Sequence, residues 1–156
     1  MAKPYSRQLA AQVGKYIRSQ GWNVNFDHER GLYRLTFKSV NRLPEISLIV
    51  RIFEDRVVSR GYPGIKADIG SYTRVVEYVT RANYEFYWHG LFDFDYSDGE
   101  IAFERSHDCT DGTPSLILLE KVVDHPIVAW NRFGDGLLAM MHSDSSPADE
   151  IRKACE

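Results

Sequence analysis

The segment Glu45–Phe53, with the sequence EISLIVRIF, constrains the fold more than any other part of the chain. Its apolar side chains occupy both faces of an extended strand, with Ile46, Leu48, Val50 and Ile52 on one face and Ile49 and Phe53 on the other. A strand that is apolar on both faces lies inside a sheet or is covered twice. We therefore predict that this segment is an inner strand of a sheet.

Other segments show the alternation of apolar and polar residues that is typical of strands with one buried face. They are residues 22–28, 33–37, 57–62, 88–96 and 100–107. In residues 88–96 the alternation places Trp88, Gly90, Phe92, Phe94 and Tyr96 on one face. Asp98-Gly99 separates the last two segments and favours a type I′ turn, so these segments are predicted to form a hairpin.

Apolar residues at helical spacing predict a first helix around Leu9–Ile17 and a second around Tyr72–Ala82. Gly21 follows the first helix where a left-handed residue commonly ends one. Near the end of the chain, Ser146-Pro147 combines an N-cap residue with a proline at the first helical position. A short terminal helix is therefore expected there.

The apolar run SLILLEKVV at residues 115–123 predicts another helix, and helical spacing continues over residues 126–142. Pro126 separates the two parts, and a proline inside a helix removes one hydrogen bond and clashes with the preceding turn. We therefore expect the helix to break or kink at Asp124-His125.

The order of the elements is α-ββββ-α-ββ-α, with helical segments at the end. Runs of strands separated by a helix predict an α+β fold, with an antiparallel sheet of about six strands packed against helices. A chain of 156 residues has the size of one domain. We predict a single domain over residues 1–156 that ends in a short C-terminal segment, residues 143–156.

Composition limits the location of the protein. No stretch approaches the roughly 18 consecutive apolar residues of a membrane span. Residues 1–20 lack the apolar core of a secretory signal. The two cysteines, Cys109 and Cys155, form no CxxC pair and do not indicate an oxidising compartment. We therefore expect a cytoplasmic protein that does not bind membranes.

Charge is divided unevenly along the chain. Residues 1–81 carry 14 Lys/Arg and 7 Asp/Glu, whereas residues 82–156 carry 5 Lys/Arg and 15 Asp/Glu. The basic residues are spread over predicted helix, strands and loops, and do not cluster with aromatic residues as a nucleic-acid surface would require. We therefore expect no nucleic-acid partner, and expect the two signs to face each other within the fold or across a dimer.

The acidic hairpin, with Asp93, Asp95 and Asp98, is the strongest candidate for chemistry. It matches a calcium loop only in part, because its glycine comes one position late and strands flank it instead of helices. The run His107-Asp108-Cys109 lacks the further ligands of a zinc site. We predict no enzyme activity, no catalytic residue, no cofactor and no metal ligand. The alternative is a domain that binds a small ligand or a divalent metal through the acidic hairpin.

The order of several short motifs resembles the YbjN domain family, whose members are described as bacterial sensory transduction regulators. The motifs are Asn83, the run Trp88–Asp95 (WHGLFDFD) and the run Ser97–Ile101 (SDGEI). Gly21-Trp22 and the Ser-Pro segment Ser146–Ile151 also fit the pattern, so the resemblance covers most of residues 5–153.

This resemblance implies a fold similar to type III secretion chaperones and a regulatory or protein-binding role without established enzyme activity. It supplies no catalytic residues. Pro126, Gly134 and Gly136 depart from the uninterrupted final helix of the family pattern.

A binding role also follows from the strand pattern. If helices cover only one face of the sheet, the other face of the inner strand exposes Ile49 and Phe53, and Leu91 of the hairpin joins them. A contiguous apolar patch of this kind is normally buried by a partner. We therefore predict that Ile49, Phe53 and Leu91 contact a protein partner or a second copy in a homodimer. Pairing of an extended peptide with a sheet edge is a second option.

Overall fold

A computed structural model describes residues 4–156 and shows an α+β fold with one six-stranded antiparallel sheet and four α-helices. The predicted fold class is confirmed, whereas the first three residues of the predicted domain lie outside the described residues. The elements are α1 (Arg7–Ser19), β1 (Phe26–Asp27), β2 (Leu32–Phe37), β3 (Ile46–Ile52), β4 (Arg56–Tyr62), α2 (Tyr72–Phe86), β5 (Leu91–Phe94), β6 (Ile101–Asp108), α3 (Leu116–His142) and α4 (Pro147–Cys155).

The strands lie side by side in the order β1-β2-β3-β4-β6-β5. The segment that is apolar on both faces forms β3, which lies between β2 and β4, so the prediction of an inner strand is confirmed. The predicted hairpin pairs β5 with β6, but its second strand is the one that joins the rest of the sheet. As a result β5 lies at the edge.

Burial alternates along the inner strands because the helices pack on one face of the sheet. In β3 the even-numbered residues from Ile46 to Ile52 are buried, whereas the odd-numbered residues are half-buried. In β4 the odd-numbered residues Val57, Ser59 and Gly61 are buried. We call this side the covered face and the opposite side the open face.

Two apolar clusters fill the space between the covered face and the helices. One joins α1 and the first half of α3 to β2, β3 and β4. The other joins α2, α4 and the second half of α3 to β5 and β6. Trp130 of α3 is fully buried in the second cluster, and its indole Nε1 donates a hydrogen bond to the carbonyl of Gly61 over 2.8 Å. This contact ties the long helix to the middle of the sheet.

Of the predicted break or kink at Asp124-His125, the break does not occur, because α3 continues through Pro126. The proline deprives the carbonyl of Val122 of its usual amide donor. The buried hydroxyl of Ser59 donates to that carbonyl instead. The proline ring also packs on Gly61, where a Cβ atom would lie only 2.7 Å from the Cβ of Pro126. Contacts with β4 therefore offset the lost helical hydrogen bond.

The predicted strand at residues 22–28 is reduced to the two residues of β1. Trp22 instead packs edge-on against Tyr16 of α1 and Phe37 of β2, with ring centroids 6.2 and 4.9 Å away. Its backbone amide still bonds to the carbonyl of Ile17 at the end of α1. Side-chain packing, and not a strand ladder, therefore positions this segment.

The hairpin departs from its prediction at both ends. Trp88 lies in a single 3-10 turn, Tyr87–His89, so it does not belong to β5. The turn is not type I′, because that turn needs positive φ at both central residues and only Gly99 has it. A longer loop closes the hairpin, with hydrogen bonds from the amide of Gly99 to the carbonyl of Asp95 and from the amide of Asp95 to that of Glu100.

The ends of the remaining helices agree with the sequence. The hydroxyl of Ser6 accepts a hydrogen bond from the amide of Leu9, and that of Ser146 accepts one from Asp149, as N-caps do. Gly21 has a φ of 77° after α1. Among residues 4–156 we find no helix with the length and apolar character needed to cross a membrane.

Candidate functional site

The open face is formed by alternate residues of β2 to β6. The side chains on it that are half-buried or exposed include Arg34, Ile49, Arg51, Arg56, Val58, Arg60, Tyr62, Leu91, Asp93 and Glu104. They share this face because side chains of a strand point alternately to its two sides. The open face is therefore neither an apolar core nor an ordinary charged surface, since both types of residue are interspersed on it.

One cross-strand row contains two of the three predicted interaction residues. The strand register places Ile49 beside Arg60, Arg60 beside Glu104, and Glu104 beside Leu91. Ile49 and Leu91 therefore lie on the same face, as expected, but two charged residues separate them. The row carries the sequence apolar, positive, negative, apolar across four strands.

Phe53, the third predicted interaction residue, lies just beyond the end of β3. Its ring is half-buried, and the guanidinium of Arg56 lies 5.0 Å from the ring centroid. Its backbone amide bonds to the carbonyl of Arg56 and its carbonyl accepts from the amide of Ser6. Phe53 thus belongs to the turn between β3 and β4, and the structure does not bring it beside Leu91.

Arg60 is the centre of the charged contacts on the open face. Its guanidinium lies 3.2 Å from a carboxylate oxygen of Asp93 and 3.5 Å from one of Glu104. The same group lies 5.9 Å from the ring centroid of Tyr62. The Nε atom of Arg60 is buried and has no hydrogen-bond partner within the described residues. The pKa of Tyr62 is raised, mainly because its hydroxyl is partly removed from water.

The two signs of charge occupy different halves of the open face. The strands β2, β3 and β4 contribute Arg34, Arg51, Arg56 and Arg60, whereas β5 and β6 contribute Asp93, Glu104 and Asp108. The uneven charge of the two halves of the sequence is thus brought into one sheet. A groove of about 450 Å³ lies at the end of this face where β4 ends, and it is lined in part by Arg34, Ile49 and Tyr62.

The acids of the hairpin loop are each engaged by separate partners. Asp93 pairs with Arg60, and Asp98 pairs with Lys66. Asp95 accepts a hydrogen bond from the amide of Ser97 over 2.8 Å. Hydrogen bonding by the side chain and the amide of Ser97 holds the pKa of Asp95 below its usual range, and the contact with Lys66 does the same for Asp98. Within residues 4–156 no group of three or more His, Cys, Asp or Glu side chains is placed to hold a metal ion.

Asn83 of α2 blocks the free edge of β5. Its side-chain amide donates to the carbonyl of Phe92 over 3.0 Å, and its carbonyl accepts from the amide of Phe92 over 2.6 Å. Both backbone groups that Phe92 presents to the outside are therefore occupied. Asn83 thus has a structural role here, and pairing of a peptide strand at this point of the edge would first have to displace it.

Two other places were candidates for chemistry. His89 and His125 lie with ring centroids 4.8 Å apart, and Arg105 donates to the carbonyl of Trp88 nearby. Burial lowers the pKa of His125, with Arg105 adding to the effect. Burial also raises the pKa of the Cys109 thiol, which favours its protonated form. These groups pack between helix and sheet and show no arrangement of a nucleophile with a base.

A groove of about 640 Å³ lies between α3 and α4. Its charged side chains are largely paired with each other. Arg42 lies 3.0 Å from Asp135, and Lys153 lies 2.7 Å from Glu150. The guanidinium of Arg132 donates to the carbonyl of Ala154 over 2.9 Å. The groove therefore presents paired charges and not a converging set of ligands.

Sequence reasoning missed Arg60 and Glu104 as members of the candidate site. The alternation in β4 already placed Arg60 on the face opposite Val57 and Ser59. Its neighbours could not be read from the sequence, because β4 pairs with β6 and not with the strand that follows it in the chain. The sequence therefore indicates on which face Arg60 lies, but not which residues lie beside it on that face.

Comparison with known proteins adds no assignment to this geometry: no family model matches the chain, and no curated protein matches it.

Proposed function

We propose that the protein is a non-enzymatic, cytoplasmic protein-binding domain with a regulatory or chaperone-like role, and that its open face is the binding surface. The observation that carries the proposal is the one-sided packing of the sheet. The helices bury the even-numbered residues of β3, while Ile49 and Leu91 remain half-buried and exposed on the other side. The resemblance of the motif order to the YbjN family supports the same class of function.

The composition of the open face suits contact with another protein. Its centre is a mixture of aliphatic, aromatic and arginine side chains, with Val58, Arg60 and Tyr62 on one strand. Tyrosine and arginine are enriched among the residues that contribute most to protein–protein binding. Leu91 is 54% exposed in the isolated chain, so its burial by a partner would remove apolar surface from water.

Site-specific photo-crosslinking in cells tests this proposal. A photoreactive amino acid at position 58 lies in the middle of the open face, whereas one at Ile117 lies on an exposed part of α3 and is the matched control. We expect protein adducts from position 58 that are absent from position 117. Equal labelling from both positions, or none from positions 49, 58 and 91, would contradict the proposal.

Binding of any crosslinked protein is then measured with purified components. Ile49→Glu introduces a charge into the open face, and Ile117→Glu introduces the same charge on α3. We expect the first substitution to weaken the complex at least about 10-fold, because it places an unpaired charge in the interface. The second is expected to leave the affinity unchanged. Equal effects of the two variants would show that the open face is not the binding surface.

A further inference from the structure

The pattern of one cross-strand row indicates what kind of partner could cover the open face. The row consists of Ile49, Arg60, Glu104 and Leu91. Over β3, β4, β6 and β5 it begins and ends with an apolar residue, and the two inner positions carry opposite charges, whereas Arg34 of β2 continues the row beyond Ile49. Such a row is complementary to a second copy of itself that runs in the opposite direction. In a two-fold symmetric contact residue i meets residue j and residue j meets residue i, which is the requirement that such a row fulfils.

Two open faces can be apposed by a two-fold axis that lies between them and runs along the strands, midway between β4 and β6. This axis places β3 over β5 of the second copy and β4 over β6. Ile49 then meets Leu91 of the other copy, and Arg60 meets Glu104. Each contact occurs twice. Sheets that pack face to face keep their strands within about 30° of each other, which this alignment allows.

A second charged row agrees with the same alignment. The register pairs Arg56 of β4 with Asp108 of β6 in another row. The axis therefore also places Arg56 opposite Asp108 of the second copy. By contrast, an axis perpendicular to the strands and parallel to the sheet would place β4 over β4 and bring Arg60 onto Arg60. Charge complementarity thus selects one of the two alignments.

We infer that a second copy of this chain covers the open face, in a two-fold dimer that apposes Ile49 with Leu91 and Arg60 with Glu104. The inference rests on the proposed function, since it names the occupant of the same face. Arg60 and Glu104 of both copies then form a closed cluster of four charges at the centre. The apolar pairs lie on both sides of that cluster.

Exchange of charges between two variants tests the apposition. In a dimer of the Arg60→Glu variant, a glutamate at position 60 faces Glu104 of the other copy at both contacts. In a dimer of the Glu104→Arg variant, an arginine at position 104 faces Arg60 at both contacts. Like charges in contact cost several kcal/mol, so each variant alone should dimerise at least about 100-fold more weakly than wild type. A mixture of the two variants restores an opposite charge at both contacts, and we expect its dimer affinity to recover.

Arg34→Glu is the matched control. Arg34 lies on the open face in the same row, but on β2, which falls outside the overlap of the two sheets. Its reversal should change the dimer affinity less than about 3-fold, as expected for a charge at the rim. Circular dichroism of each variant checks the fold. Analytical ultracentrifugation of single variants and mixtures gives the affinities, and recovery in the mixture cannot arise from a change within one chain.

Cysteine crosslinking provides an independent test. In a Cys155→Ser background, Ile49→Cys and Leu91→Cys proteins are mixed, treated with a short bis-maleimide that bridges thiols on sheets packed roughly 10 Å apart, and examined on denaturing gels. Only the mixture should yield a covalent dimer, because the axis separates the two copies of either position by roughly three strand spacings, about 14 Å. Cys109 is only 8% exposed, and it is present in both single-variant proteins, which therefore control for its own reaction.

Three results would overturn the inference. They are a monomer at all concentrations, a dimer unaffected by the charge reversals, or a mixture that crosslinks no better than its components. These outcomes are separable from the failure of the proposed function. A monomer whose position 58 still crosslinks to another protein would retain the open face as a binding surface and assign it to a different partner.

Discussion

The two faces of the sheet are built from the same strands but hold their residues in different ways. On the covered face, Gly61 fits against Pro126 with no room for another carbon atom, and Trp130 fills the space beside them. On the open face, Arg60 is shared between two carboxylates and its side chain is 35% exposed. The difference shows that the covered face is specified by shape and the open face by charge.

Because the two faces are held differently, we expect substitutions on the covered face to lower stability more than substitutions on the open face. The largest effect is expected at Trp130. Trp130→Ala removes a fully buried side chain and leaves the carbonyl of Gly61 without its indole donor. We expect a loss of about 3–5 kcal/mol in the free energy of unfolding, measured by urea denaturation. The open-face control Ser106→Ala should change it by less than about 0.5 kcal/mol. Similar losses from both substitutions would remove the distinction between the faces.

Gly61→Ala tests the closeness of the contact between β4 and α3. The new Cβ atom would lie 2.7 Å from the Cβ of Pro126, and neither the strand nor the ring can move freely. We expect a cost of about 1–3 kcal/mol from overpacking, again from urea denaturation. Ser47→Ala on the open face of β3 is the control. A stability equal to wild type would mean that the helix can shift without cost.

Ser59 and Pro126 are expected to be energetically coupled. Ser59→Ala removes the donor to the Val122 carbonyl, and an unsatisfied buried acceptor costs about 1–3 kcal/mol. Pro126→Ala supplies a backbone amide four residues after Val122, so Ser59→Ala should cost less in that background. A double-mutant cycle measures the difference. Additive effects would show that the hydroxyl does not replace the missing amide.

Arg60→Met tests how much the ion pairs of the open face contribute to the free energy of unfolding. It removes both ion pairs of Arg60 and keeps most of the volume of the side chain. Partly exposed ion pairs contribute about 0–1 kcal/mol, so the loss for the dilute monomer should remain within that range and shrink in high salt. A larger, salt-independent loss would indicate that this face is specified by packing as well.

The smallest effect is expected from the ionisation of Asp124 on the side of α3 that meets α1. Burial holds the pKa of Asp124 above its usual value although the hydroxyl of Tyr16 donates to it over 2.8 Å. The folded chain therefore retains this proton to a higher pH than the unfolded chain does. This ionisation costs nothing below the unfolded pKa, and its cost increases as the pH rises through the folded pKa.

Asp124→Asn removes that cost while its amide oxygen still accepts from Tyr16. The stability of the variant relative to wild type should thus increase from acid to neutral pH in denaturation experiments. Asp98, whose pKa is lowered by Lys66, provides the opposite case. Asp98→Asn should lose stability relative to wild type over the same change of pH. Parallel pH profiles for the three proteins would contradict both pKa shifts.

On the covered face, the local sequence pattern predicts some features and not others. The apolar residues on both faces of residues 45–53 were sufficient to predict an inner strand, because side-chain direction in a strand depends only on position. The effect of Pro126 was not predictable in the same way. Its helical segment alone indicates a break, whereas in the fold Ser59 and Gly61, more than 60 residues earlier, contact the helix at this point.

The open face shows the same limit for the candidate site. The sequence placed Ile49 and Leu91 on one side of their strands, and the structure puts both on the open face. It did not place Arg60 and Glu104 between them, since that depends on the insertion of β6 between β4 and β5. Phe53 continues the alternation of β3 in the sequence, but the strand ends one residue earlier.

The sequence by itself thus determined most of the helices and strands, the antiparallel α+β class and the sides of the strands, because these follow from local periodicity. Only the tertiary structure decided the order of the strands, the continuity of α3 and the alternating row of the open face. These features depend on contacts between residues that are distant in the chain. The energy of such contacts is fixed by shape and charge at the meeting point, which no local pattern records.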